Sequence, residues 1–277
     1  ENNWWGTTDP VAIAASIYDY QNWEILPTVD FIPYLDTPNG NPIGQSYLYG
    51  AISGALTLSQ SPYLAIGHLL VPVGQTLTIQ PGVEIKFAGN YRLRVNGTLN
   101  AAGTATQRIK FTSNQSTPAR GDWRGILISE TSTTLDYLQV EYADYGIDVQ
   151  STLPATIQNS IFANNNRGVN IQWGNPTIPT MIQGSTFQNN YYGIFANNVR
   201  LTVTNSTITN NVQGAGLGCG TVQQCIVHMN NNSIFGNTSY SINVIYGGGG
   251  DASGITIDAE NNWWGTTDPV AIAASIY

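Results

Sequence analysis

The chain has 277 residues, 42% of them hydrophobic, enough to bury a large core. Only 9% are charged, against roughly 25% in average proteins. With nine Lys and Arg and a net charge of −8, the composition argues against a nucleic-acid groove, and no apolar run reaches membrane-spanning length.

Residues 1–18, ENNWWGTTDPVAIAASIY, recur unchanged at residues 260–277, 259 residues further on. An identity of this length predicts a parent made of near-identical tandem units, with this chain spanning one unit and an overlap. In each copy an Asp-Pro pair, Asp9-Pro10 and Asp268-Pro269, marks a helix start, because Asp caps the free N–H groups and Pro fits the first helical position. The short helix follows a tryptophan pair, Trp4 and Trp5 or Trp263 and Trp264. Large rings and a short helix can cover the open end of a solenoid, whose bare strand edges would otherwise invite aggregation. Val29, Phe31 and Tyr34 read as an extended segment completing that cap. Residues 1–35 are therefore expected to be the closing cap of a preceding unit. Residues 266–277, a copy of 7–18, would start the same cap again.

Residues 36–62 read as a connector. DTPNGNPIGQS (36–46) has linker composition, and residues 47–58 hold at most a weak strand or two. Residues 63–265 carry short alternations: Leu77/Ile79, then Val83/Ile85/Phe87 after the turn Pro81-Gly82. Ile85/Phe87 recur 24 residues later as Ile109/Phe111, which predicts one rung; Ile126/Ile128 follow Trp123.

Between Leu138 and Val244 the repetition becomes explicit. SIFANNNRGVNI (160–171), STFQNNYYGIFA (185–196), STITNNVQGAGL (206–217) and SIFGNTSYSINV (233–244) align without gaps, and LQVEYADYGIDV (138–149) fits the same frame. Such a period means stacked units. Two short alternating strands per unit leave backbone groups and an apolar face unpaired, and the next turn of chain satisfies both. The predicted fold is all-β, a parallel β-helix of about eight rungs. The frame places Phe162, Phe187, Ile208 and Phe235 in one internal column. It places Asn164, Asn189, Asn210 and Asn237 in one bend column, expected to be an amide ladder. The glycines at 146, 168, 193 and 214 are expected to supply a backbone angle that side chains resist. A leucine-rich-repeat solenoid would need a Leu-rich consensus, which is absent.

Cys219 and Cys225 lie in one loop, GCGTVQQC, and are a candidate disulfide, which implies an oxidising compartment. Their spacing fits neither a zinc site nor a redox pair. YGGGGDASG (246–254) reads as a loop excursion.

LTIQPGVEIKF (77–87), RVNGTLNAAGTATQRIKFTS, the NS-x-[IF]-x-x-N units and the closing NNWWGTTDP together resemble secreted bacterial right-handed parallel β-helix proteins, the pectate-lyase-like superfold. The resemblance spans about residues 66–277 and implies right-handedness and an extracellular or cell-surface setting. It implies little about activity, because this fold hosts enzymes, adhesins and inert stalks.

The residues offer little catalytic chemistry. Asp144 and Asp148 with nearby Glu141 could pair as glycosidase carboxylates, but one rung on their places are Asn166 and Asn170. The carboxylate and histidine set of polygalacturonases is absent, and so is the basic and calcium-binding set of pectate lyases. His68 and His228 are isolated. No catalytic, cofactor-binding or metal-ligating set is predicted. Tyr145, Arg167, Tyr192 and Gln213 share one frame position and read as turn residues, with sugar stacking as the sharper alternative. The expected function is a structural extracellular unit of a fibre, stalk or filament whose partners are copies of itself. The alternative is an adhesin or carbohydrate-binding module contacting a surface polysaccharide. A groove of converging acidic, basic and aromatic residues would favour the alternative; a uniform Asn/Thr/Ser surface would favour the first.

Overall fold

The computed structural model describes residues 2–23, 26–129, 133–150, 153, 155–172, 178–218, 225–245 and 257–277. The fold is a right-handed parallel β-helix with three strand faces and about seven complete turns, close to the number expected from the repeats. In each turn the chain passes from the third face to the first, then to the second. One turn reads Thr76–Ile79, Glu84–Phe87, Arg92–Val95, and the next begins at Thr98–Ala102. Successive strands pair in parallel on each face, and the strand Tyr63–Val71 runs unbroken around one corner to join the first two faces. Alternation then decides burial: in Arg92–Val95 and Thr76–Ile79 every second side chain enters the core. Tyr47–Ala51 and Gly54–Leu56 already pair with the first rungs, so the solenoid begins inside the stretch read as connector.

The two bends flanking the first face share one construction. A residue at positive φ turns the chain, and the next residue sends a polar side chain inward. At the entry bend the pairs are Asn159-Ser160, Gly184-Ser185, Asn205-Ser206, Asn231-Asn232 and Asn261-Asn262. At the exit bend they are Asn164-Asn165, Asn189-Asn190, Asn210-Asn211 and Gly236-Asn237. Asn tolerates the left-handed region better than other residues with a Cβ, and Gly replaces it without strain. The amide ladder is therefore Asn165, Asn190, Asn211 and Asn237. Asn164, Asn189 and Asn210 are the turning residues one step earlier, with φ of 58°, 57° and 56°. The backbone N–H of Asn165 donates to Asn190 Oδ1 at 2.9 Å, that of Asn190 to Asn211 Oδ1 at 2.9 Å, and that of Asn211 to Asn237 Oδ1 at 3.0 Å. Each ladder amide also donates to a strand carbonyl, as Asn190 does to Phe162 O at 3.0 Å. A buried backbone N–H at a bend has lost its sheet partner, and the ladder supplies one.

The core column is Phe162, Phe187, Ile208 and Ile234, all fully buried, with the first two rings stacked at 5.0 Å. Phe235 is half-buried and pairs with Thr209. The gapless frame slips here because the stretch from Asn237 to Tyr240 is one residue longer than that from Asn211 to Gln213, after which Gln213 pairs with Tyr240. Earlier, Phe111 pairs with Ile85 and Ser113 with Phe87, so that rung is 26 residues long, not 24.

The glycine column at 146, 168, 193 and 214 is needed for a different reason from a special backbone angle. A Cβ on Gly193 would lie 2.6 Å from the carbonyl oxygen of Gly214, and one on Gly168 would lie 2.5 Å from that of Gly193. Backbones approach too closely for any side chain. Gly193→Ala is expected to cost about 1–3 kcal/mol by overpacking, read from urea melts; an unchanged midpoint would show that the rungs separate freely there.

The two copies of the repeated segment sit differently. The N-terminal helix, Pro10–Ala15, is capped by Asp9, whose Oδ1 accepts from Val11 N at 2.9 Å. Its Ile13 is buried in a second hydrophobic cluster with Phe31, Tyr34, Tyr49 and Ile66. Leu64 and Tyr47 pack against this cluster while Tyr63 and Ala65 enter the main core, so the N-terminal copy lies outside the first rungs and not over the open core. The C-terminal copy does close an end: Trp263 bridges Ser233 on the first face, Ile276 bridges Ile242 on the second, and Trp264 packs on the main core. Its helix, Pro269–Ala274, buries no residue. Cys225 is buried and disulfide-bonded; Cys219 and the loop at 246–254 lie outside the described residues.

Candidate functional site

The outer surface of the second face carries a column of aromatic, basic and amide side chains. Pairing of Tyr145 with Arg167, Arg167 with Tyr192 and Tyr192 with Gln213 puts these four in one column on strands, not in turns. Arg167 lies between the two tyrosines, 5.2 Å from the Tyr145 ring and 5.8 Å from the Tyr192 ring, with its guanidinium 3.9 Å over Phe195. Aromatic faces attract a guanidinium and hold it in one orientation. Arg167 Nη1 also donates to Asn170 Oδ1 at 2.6 Å.

Beside this column is a depression of about 200 Å³ lined by Arg92, Arg124, Asp144, Tyr145, Asp148 and Gln150. Gly125 shapes it. Its φ is +108°, the strand pairing slips at this residue, and a Cβ would meet the Tyr145 carbonyl. Such bulges re-aim neighbouring side chains. Asp148 is buried, and its carboxylate accepts from Asn170 Nδ2 at 2.6 Å and from Gln150 Nε2 at 2.8 Å. Burial pushes its pKa above the ordinary aspartate value, while these hydrogen bonds and the two arginines, Arg92 and Arg167, pull the other way. Asp144 accepts from Asn166 Nδ2 at 2.9 Å. The two asparagines that replace these acids on the next rung are thus their direct partners. Arg92 Nε is buried and makes no hydrogen bond among the described residues.

Sequence reasoning missed Arg92 and Arg124. They come from rungs before Leu138, where no repeated signature sets the frame, and only the pairing of Arg92 with Gly125 brings them to Tyr145 and Asp148. The histidines lie elsewhere: His68 Nδ1 accepts from Arg92 N at 3.2 Å, and His228 Nδ1 is 3.2 Å from Asp258. Asn230 and then His228 hold the exposed Asp258 carboxyl below its ordinary range.

The raised pKa of Asp148 has a defined consequence. The native state keeps the proton at pH values where the unfolded chain has lost it, so this group favours folding most below the ordinary aspartate value. That contribution is lost as pH rises through the raised native value. The unfolding free energy of Asp148→Asn relative to the parent is expected to improve from about pH 3 to about pH 7. A flat difference across that range would place the carboxylate in bulk-like solvent.

Two family comparisons bear on this architecture. The model of a right handed beta helix region matches residues 97–263, more than half of the chain. The chain belongs to the right-handed β-helix family. The model of a pectate-lyase like beta helix domain matches residues 50–135 of this β-helix. "Protein bark beetle" of Drosophila melanogaster is 34% identical over 117 residues, which cover 36% of this chain and 4% of that protein. No solved structure is a significant match. Among the described residues, no helix of the β-helix protein is long and apolar enough to cross a membrane.

Proposed function

We propose that this β-helix is one tandem unit of an extracellular structural protein, with units joined end to end through the repeated segment. The observation that carries this reading is the 18-residue identity, whose C-terminal copy extends the last rung on two faces while its N-terminal copy packs beside the first. The disulfide at Cys225 supports an oxidising, extracellular setting. The unit boundaries follow the cap: residues 1–35 end one unit, and the segment from 266 starts the same cap again. Imaging of native material or of a multi-unit chain tests it. Rods with an axial repeat of one unit are expected, and unconnected single units would overturn the reading.

The second face favours a second reading, that of a carbohydrate-binding module or adhesin. Arg92, Arg124, Asp148 and Tyr145 converge on one depression, the arrangement named above as the sign of that function. Asp148 is read as a structural acid and not a catalytic one, because both oxygens already accept hydrogen bonds within the face. Titration with acidic oligosaccharides is the test. Binding lost in Arg124→Ala would support a saccharide site. Polysaccharide cleavage lost in Asp148→Asn would replace both readings with an enzyme.

A further inference from the structure

The two copies of the repeated segment have one sequence but use different hydrogen-bonding groups. In the C-terminal copy the closing contacts run through the rung edge. Trp263 N donates to Asn232 O at 2.8 Å and Trp263 O accepts from Ile234 N at 2.7 Å. Ser275 O accepts from Ser241 N at 2.7 Å, and Tyr277 N donates to Ile242 O at 2.9 Å. The Asn262 side chain accepts from Asn232 N at 2.8 Å, adding a fifth step to the entry-bend ladder. The N-terminal copy binds through other groups. Asn2 N donates to Pro33 O at 2.7 Å, Asn3 O accepts from Leu35 N at 3.0 Å, and Thr8 O accepts from Tyr34 Oη at 3.0 Å. Pro10 and Ile13 are buried there, whereas their equivalents Pro269 and Ile272 are exposed and half-buried.

The two sets of hydrogen bonds share no atom, while one ring serves in both contexts: Trp5 meets Phe31 edge-on at 6.2 Å and its equivalent Trp264 packs on the main core. Trp4, Ser16, Tyr18 and the Asn3 side chain, equivalent to the closing groups, make no such bonds among the described residues. The apolar helix face and the carbonyls of Asn3 and Thr8 have equivalents that the C-terminal copy leaves unused. The two hydrogen-bond sets are therefore compatible in one segment.

We infer that the uncovered face of the helix Pro269–Ala274 is the docking surface for a second copy of this chain, specifically for that copy's equivalents of residues 19–66. The inference rests on the end-to-end reading and adds its geometry. The occupant is identified by the N-terminal copy, where Phe31, Tyr34, Tyr49 and Ile66 cover this same helix. Because that cluster lies outside the first rungs, the following solenoid starts beside the cap of the preceding one and does not stack its rungs on it. The shared segment becomes a rigid, two-sided joint. A non-closing contact repeated in this way generates a filament.

The test is a two-unit chain, residues 1–277 followed directly by a second copy of residues 19–277, compared with the single chain. Hydrogen exchange at the amides of Ile272 and Ala273 in the shared segment is expected to slow on the order of tenfold or more in the two-unit chain. Small-angle scattering should report one fixed separation of the units. Ile272→Asp should restore fast exchange and free the units. Val270→Asp should do neither, because Val11 and Val270 are 54% and 75% exposed in the two contexts. A freely jointed parent chain, or two variants that behave alike, would overturn the inference. That failure is separable from the structural reading: flexibly linked units in extracellular rods would keep the function and remove the joint.

Discussion

Phe187→Ala is expected to lower the unfolding free energy by roughly 3–5 kcal/mol, the cost of emptying a well-packed aromatic site. Phe187 is fully buried, stacks on Phe162 at 5.0 Å with an interplanar angle of 9°, and is followed in the column by Ile208. Strand backbones above and below fix the rung spacing, so neighbours cannot collapse far into the hole. The column's upper end offers a paired control. Ile234→Ala should cost about 2–4 kcal/mol, because Ile234 is fully buried in the register of Ile208. Phe235→Ala should cost less than Ile234→Ala despite the larger side chain, because Phe235 is half-buried on the opposite side of the strand. Urea melts of the three variants decide the matter. A larger loss at Phe235 than at Ile234 would restore the gapless frame and sink the register described here.

Asn190→Ala should be nearly as damaging, at about 3 kcal/mol or more, although it removes only a small polar group. Its Oδ1 accepts from the backbone N–H and the Nδ2 of Asn165, and its Nδ2 donates to Phe162 O. Alanine would leave all three partners buried, and each unpaired group costs about 1–3 kcal/mol. Asn189→Ala should cost only about 1 kcal/mol, the strain of a Cβ residue at φ 57°. Asn189→Gly should be close to neutral, since Gly236 already fills the equivalent exit-bend position and Gly184 the turning position of the entry bend. Thermal midpoints of these three variants would check the assignment. Equal losses at Asn189 and Asn190 would mean that the ladder does not depend on which residue points inward.

The amino-acid sequence by itself determined the stacking of rungs, because a rung cannot satisfy its own edges and the repeat of apolar pairs leaves one way to bury them. It also located one of the two bends flanking the first face, through Asn164, Asn189 and Asn210, and the duplicated segment at both ends. Other features depended on tertiary pairing. At Asn189-Asn190 two identical residues stand side by side, and composition cannot say which takes the left-handed turn and which faces in; register with Asn165 and Asn211 decides it. At Asn237 one added residue in a bend shifts the core from Phe235 to Ile234, which a gapless alignment cannot register. The depression on the second face joins residues 92, 124, 144 and 148 from three successive rungs, and such neighbours exist only once each rung's length is set. The two roles of one identical segment were also a tertiary matter. Its sequence carries both an edge and an apolar helix face, and the surrounding chain selects which is used: the last rung takes the edge, while Phe31, Tyr34 and Tyr49 take the face.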